Sequence, residues 1–141
     1  MFRHILLPID IEHPESWEKA LPMAVKLSGS DGTLHLLGIV HDIGSAWVAQ
    51  SLPRDFEAKS LQMMKTRLNA LAAEQIGPQT RVQTHVGHGH VAEHILKASV
   101  AVGADLIVIA AHHPDDLRTL LVGSNSGKVV RHATIPVLTV R

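Results

Sequence analysis

The sequence contains no cysteine in 141 residues. Disulfides, thiolate metal ligands and cysteine nucleophiles are thereby excluded, and the composition sits comfortably with a reducing compartment. A charge imbalance is missing as well, since 13 Lys and Arg offset 13 Asp and Glu. Nothing in that balance favours a polyanion such as DNA as partner, whereas a small charged ligand stays open. Long hydrophobic runs are also absent at the two ends. The opening MFRHILLPID is interrupted by Pro8 and Asp10, and the closing run stops at Arg141, so neither a signal peptide nor a membrane span is expected. The expectation is a soluble, cytoplasmic protein with no membrane or nucleic-acid partner. Its length suits one domain, residues 1–141, able to bury a core without disulfides or metals.

What is present is a regular alternation. Five short apolar, β-branched runs stand at 4–9 (HILLPI), 33–40 (TLHLLGIV), 81–86 (RVQTHV), 105–111 (DLIVIAA) and 135–140 (IPVLTV). Their length and composition predict strands. The first, second and fourth are nearly continuous in apolar residues, as a strand covered by helices on both faces requires. The segments between them carry helical periodicity. Residues 14–28 space Trp17, Leu21, Ala24 and Val25 or Leu27 on one face, with Pro14 and Glu15 in the first turn and Pro22 predicting a kink. Residues 54–76 continue through Leu61, Met64, Leu68, Leu71 and Ala72 to a stop at Gly77-Pro78. Residues 91–102 turn Ile95, Leu96, Ser99 and Val102 toward a core, and a last helix runs from Ser124 to His132.

Strand and helix therefore alternate from end to end, which predicts an α/β fold: a doubly wound five-stranded parallel sheet with helices on both faces. Such sheets bind ligands in the crevice beyond the carboxyl ends of their strands, where the strand order switches. The loops after residues 9, 40 and 111 become the candidates, and the irregular stretch 41–54 (HDIGSAWVAQSLPR) is placed as a flap beside that crevice.

Two motifs carry chemistry. Asp10 follows the first strand, where a carboxylate either closes a turn and caps the next helix or accepts hydrogen bonds from a ligand's hydroxyl or amino groups. Pro8 fixes the backbone at the strand end under either reading. In VGSNSGKVVRH, Gly123 lets backbone approach an anion, while Ser124, Asn125 and Ser126 bring hydroxyl and amide groups to a helix N-terminus with unpaired N–H donors. A phosphate fits there, and so does a plain helix cap. The Gly127-Lys128 pair lacks the glycine spacing and the following Ser or Thr of a Walker loop. Histidine is abundant, with His85, His88, His90 and His94 in HVGHGHVAEH. A shared metal is disfavoured, because no acidic or cysteine ligand stands at zincin spacing, His90 falls at a helix cap and His85 alternates outward on a strand. Charge that varies with pH near neutrality is the plainer consequence of eleven histidines. Asp115 and Asp116 follow Pro114 on a solvated loop and could ligate magnesium only beside a bound phosphate.

The runs ILLPID, Gly89 before the third helix, ADLIVIA and LLVGSNSGKVVRHATIPVLTVR together resemble the universal stress protein family over essentially the whole chain. That resemblance implies a Rossmann-like fold of the adenine-nucleotide alpha hydrolase-like type. The family's nucleotide-binding members carry glycine, two residues, glycine, nine residues, glycine, then Ser or Thr. Counting back from Gly123-Ser124 puts Ala110 and His113 at the first two glycines, so only the final element is retained. His113 sets an imidazole in the middle of the cradle. The run AAHHPDDLRTLLVGSN is nevertheless similar to the F/G-like branch, where a Ser-His-Arg-Pro type sequence is compatible with nucleotide binding, and an imidazole aimed at phosphate can replace lost N–H donors.

Carried over residue by residue, the resemblance implies that Pro8, Ile9 and Asp10 line the adenosine end, and that Val40 meets adenine through its backbone. Ala110, His112 and His113 would border the phosphates of ATP, with or without Mg²⁺, opposite Gly123, Ser124, Asn125 and Ser126. The family's last strand pairs two subunits, which makes Ile135 to Val140 the expected homodimer edge. The function implied is an ATP-binding regulatory, stress-response module with an unknown protein partner. Two alternatives stand beside it: a nucleotide-free dimeric adaptor, or a slow ATPase that phosphorylates itself on Ser124 or Ser126. Neither a catalytic residue nor a resident metal is assigned, since no in-line nucleophile is evident.

Overall fold

The computed structural model describes residues 1–40, 54–111 and 124–141, with the Ser124 side chain outside that set. Its strands are β1 (His4–Ile9), β2 (Thr33–Val40), β3 (Arg81–His88), β4 (Leu106–Ala110) and β5 (Val137–Val140). They form one five-stranded sheet in the order β3-β2-β1-β4-β5, and every pairing is parallel. The helices are α1 (Ala20–Ser28), α2 (Phe56–Gln75), α3 (Val91–Ala101) and α4 (Ser124–His132), with a 3₁₀ turn at Pro14–Ser16.

Side chains alternate across each strand, so the two faces collect different residues. Ile5, Leu7, Ile9, Leu34, Leu36, Leu106 and Val108 face Leu21 and Ala24 of α1 and Leu68 and Leu71 of α2. Leu6, Leu37, Ile39, Ile107 and Ile109 face Val91, Ala92 and Ile95 of α3 and Val129 of α4. This two-sided cover is why β1, β2 and β4 read as unbroken apolar runs, and it confirms the doubly wound α/β arrangement. α2 comes especially close at Gly38, where a Cβ would lie 2.8 Å from Leu68 Cδ1 and 2.9 Å from the Met64 side chain. The glycine makes room for a helix whose own apolar stripe is narrow, with Leu68 and Leu71 its buried residues.

Several boundaries differ from the sequence expectation by a residue or two, and three have a clear local cause. The segment 14–28 is not one kinked helix: Pro14–Ser16 forms a separate 3₁₀ turn and α1 begins only at Ala20. Pro22 consequently falls in the first turn of α1: Leu21 N–H still donates to Trp17 C=O at 2.8 Å, and the bond that Pro22 cannot make separates that turn from the helix proper. β3 runs on to His88, because its pairing with β2 continues through Val40. β5 starts at Val137, directly after Pro136.

Leu68 is fully buried over Gly38, so Leu68→Ala opens a cavity between α2 and β2. It is expected to lower unfolding free energy by about 2–5 kcal/mol, read as a reduced urea midpoint at unchanged slope.

Candidate functional site

The strand order changes direction between β1 and β4: β2 and β3 lie to one side of β1, β4 and β5 to the other. The pairing there is also the shortest around β1. β1 matches β2 over six positions, His4 to Ile9, but matches β4 only at Ile5↔Leu106 and Leu6↔Ile107. The reason lies in the sequence. Thr33 N–H donates to Arg3 C=O and Asp105 N–H to His4 C=O, so odd-numbered β1 residues address β2 and even-numbered ones address β4. Pro8 is even-numbered and has no N–H to give, so the ladder to β4 stops short of it. The carboxyl ends of β1 and β4 are thereby left unzipped, which opens a crevice at the switch point.

Asp10 sits at the lip of that crevice and is 9% exposed. Its backbone is clamped by a residue that sequence reasoning missed: Asp10 N–H donates to Ser16 Oγ at 2.9 Å, and Ser16 O–H donates back to Asp10 C=O at 3.0 Å. His13 N–H donates to the same carbonyl at 3.0 Å. Ser16 is completely buried; the signal for it was its place in the Pro-Glu-Ser turn, which looked like ordinary helix start. The two readings of Asp10 are each satisfied by one oxygen. Oδ1 accepts Glu12 N–H at 3.2 Å and closes the turn. Oδ2 is buried and has no hydrogen-bond partner among the described residues, a condition shared only with Trp17 Nε1. His13 Nε2 stands 4.0 Å from it, beyond hydrogen-bond reach. An acceptor shut away from water without a donor is costly, and it marks the place where a ligand's O–H or N–H would be stabilised.

The loop bearing Asp10 is tied to α2 as well. Arg67 Nη1 donates to Glu12 Oε1, and that hydrogen bond, followed by the guanidinium charge, holds the Glu12 carboxyl below its ordinary range. A depressed carboxyl makes the link present at neutral pH and lost as acid protonates it.

The remaining sequence candidates divide. Pro8 and Ile9 are buried in β1 beside Asp10. Ala110 ends β4, and Ser126 Oγ of α4 lies 3.5 Å from its carbonyl, at the outer limit of a hydrogen bond. The first turn of α4, with Ser124, half-buried Asn125 and buried Ser126, is thereby brought to the β4 side of the crevice. Val40 ends β2, two residues past Gly38, the partner of Ile9. Its carbonyl already accepts Gly89 N–H at 3.0 Å, so only its second lone pair remains for a further donor. His112, His113 and Gly123 lie outside the described residues, as do Asp115, Asp116 and most of the expected flap, 41–53.

The histidines of HVGHGHVAEH do not converge. Among the described residues no group of three His, Asp or Glu side chains is arranged to hold a metal. His90 is the N-cap of α3 but makes no side-chain cap bond. The ring of His94 packs against Gly87, where a Cβ would come within 2.6 Å of its Nδ1. His85 corrects the expectation of an outward residue: it is half-buried and bonds to His35 on the neighbouring strand at 2.9 Å.

An all-parallel, doubly wound sheet whose order switches between β1 and β4 defines a Rossmann-like α/β domain. Comparison with known proteins makes the family definite. The universal stress protein family profile matches residues 1–141, and the chain belongs to that family. It is 34% identical to Universal stress protein G of Salmonella typhimurium over 143 aligned positions, covering all of both chains. Among solved structures it resembles Universal stress protein UspA from Lactobacillus plantarum, with a TM-score of 0.70, 20% identity and coverage of 99% and 97% of the two chains. A universal stress protein in complex with cAMP superposes with a TM-score of 0.61 at 17% identity, covering 99% and 97%. A family member from Arabidopsis thaliana with AMP bound also gives 0.61, at 16% identity, covering 98% and 90%.

Ser16→Ala would strand the Asp10 N–H while leaving the Asp10 carbonyl its His13 partner. A loss of about 1–3 kcal/mol in unfolding free energy is expected, measurable by chemical denaturation.

Proposed function

We propose that this chain is an ATP-binding stress-response module that works as a cytoplasmic homodimer, one domain over residues 1–141. The observation that carries the reading is the buried, unpartnered Oδ2 of Asp10 beside the opening that Pro8 leaves between β1 and β4. A ribose hydroxyl supplies the donor this oxygen lacks. Adenine enters toward Val40, and the phosphates run toward Ala110 and the first turn of α4, where Ser124, Asn125 and Ser126 offer backbone N–H groups and the positive end of the helix dipole. His112, His113 and Gly123 complete the phosphate end in this reading, and Mg²⁺ would accompany the triphosphate. Bound adenine nucleotides in two structural relatives, cAMP in one and AMP in the other, support an adenine-directed crevice. They do not choose among nucleotides.

Binding accounts for these residues without turnover. Phosphoryl transfer would need a nucleophile in line with the γ-phosphate, and Ser126, one of the two serines considered for self-phosphorylation, is buried. Among the described residues no helix is long and apolar enough to cross a membrane, which accords with a cytoplasmic role. The homodimer reading rests on β5, which forms one edge of the sheet. Ile107 N–H bonds Pro136 C=O and Ala111 N–H bonds Val140 C=O, so the alternation of the ladder turns the N–H and C=O of Val137 and Thr139 away from β4. An edge with such unpaired groups is satisfied by the same strand of a second copy.

Calorimetry with ATP and magnesium is the direct test: a binding isotherm is expected, and no heat at millimolar nucleotide would overturn the proposal in favour of a nucleotide-free adaptor. Asp10→Ala is expected to weaken ATP by about tenfold or more, the worth of a hydrogen bond to a charged group. For the dimer, Thr139→Pro removes an outward N–H from the edge. Sedimentation equilibrium should show the native chain as a dimer and the variant shifted toward monomer.

A further inference from the structure

A chain of three imidazoles crosses the sheet diagonally, from the start of β1 to a position in β3 that is level with Leu37 of β2. His4 opens β1, His35 is the third residue of β2, and His85 lies in β3. His4 Nδ1 meets His35 Nε2 at 3.1 Å, and His35 Nδ1 meets His85 Nε2 at 2.9 Å. The ring centroids are 5.3 Å and 5.1 Å apart, with the planes inclined by 35° and 26°, so the rings meet through their facing nitrogens. The middle ring is buried, at 3% exposed, while His4 is exposed and His85 half-buried. His35 thus spends both ring nitrogens on other histidines, and none of the three rings is paired with a carboxylate among the described residues.

Among the described residues, the surroundings offer an added proton little compensation. Lys65 of α2 donates to Thr84 C=O beside His85 and acts on that ring as a like charge. From α3 comes His94, packed on Gly87 two residues beyond His85. Arg81 precedes His85 on the same face of β3. Asp105, just before β4, spends its two carboxylate oxygens on the backbone amides of Arg3 and His4, at 2.8 Å and 3.0 Å. Burial, then His85 and His4, lowers the His35 pKa from 6.5 to about 4. Burial and then Lys65 lower that of His85.

Counting hydrogens gives the chain its property. A neutral imidazole has one donor and one acceptor nitrogen, so three neutral rings form both links with every donor pointing the same way along the row. One added proton is accommodated on any ring, because the others switch tautomer and both links survive. With two added protons only one ring nitrogen in the row stays bare, and at least one facing pair then carries hydrogen on both atoms. We propose that His4, His35 and His85 form a built-in acid sensor, which takes up one proton with both links intact and loses a link at the second, loosening β2 from one of its two neighbours, β1 or β3.

The sign follows from the lowered values. The unfolded chain binds a proton at His35 between pH 6.5 and about 4 while the folded chain does not, and the lowered His85 acts in the same direction, so the row leaves stability intact above 6.5 and subtracts from it as pH falls toward 4. Each such proton changes the unfolding equilibrium constant by about tenfold per pH unit within the window. His35→Gln keeps a donor and an acceptor at the position but cannot titrate. Urea titrations of both full chains between pH 6.5 and 4.5 should show the variant losing about tenfold per pH unit of the native dependence. An unchanged dependence overturns the proposal. Nitrogen-detected NMR of the native chain's histidines tests it even if that variant fails to fold. His35 should stay neutral at pH 5.5 and exchange its tautomer as a neighbour titrates. Independent titration of His35 near 6.5, or a tautomer indifferent to its neighbours, overturns it as well.

Discussion

An amide hydrogen that Pro8 does not have is the constraint on which the site depends. Parallel strands this deep in a sheet normally bond along their whole shared length, because a buried backbone group without a partner is costly. β1 does so toward β2, yet toward β4 it stops after Leu6. The gap coincides with the switch in strand order, so topology supplies the position and proline supplies the opening. Without that interruption the carboxyl end of β1 would be zipped to β4, and Asp10 would follow a closed sheet edge rather than a crevice.

An opening is useful only if what lines it is held still, and the molecule spends polar contacts to that end. Ser16 grips both backbone groups of Asp10, Glu12 N–H takes one carboxyl oxygen, and Arg67 anchors Glu12 from α2. The second oxygen is left over. α2 is itself positioned by Leu68 and Met64 settling onto Gly38, so the apolar packing on that face reaches the site through one ion pair. On the opposite face, α3 and α4 are held by Ile95 and Val129, and α4 carries its first turn to the end of β4.

The histidine row lies on this second face and starts from the other end of β1. Its rings belong to three adjacent strands and are far apart in sequence, so their bonds tie β3, the sheet's outer strand on that side, to the centre. Crevice and row share β1 and β2 but use opposite ends of them. A sheet buried on both faces is stiff, which makes such a shared scaffold able to keep both features in register.

The sequence by itself determined the architecture, because apolar runs of strand length alternating with helical periodicity leave a parallel, two-sided sheet as the consistent burial pattern. Asp10 directly follows β1 as the sequence has it, and the helix expected from Ser124 starts there, with Ser126 near the end of β4. Boundaries governed by local chemistry were less legible: Pro22 predicts a kink or a first-turn residue equally well until the start of α1 at Ala20 is known. What only the tertiary structure decided are the relations between residues distant in the chain. Ser16 reaching back to Asp10, Arg67 crossing to Glu12, Gly89 occupying the Val40 carbonyl, and His85 turning in to His35 all depend on strand order and register. Periodicity reports which face a residue takes, but not which strand lies beside it, and a hydrogen bond needs its partner within about 3 Å.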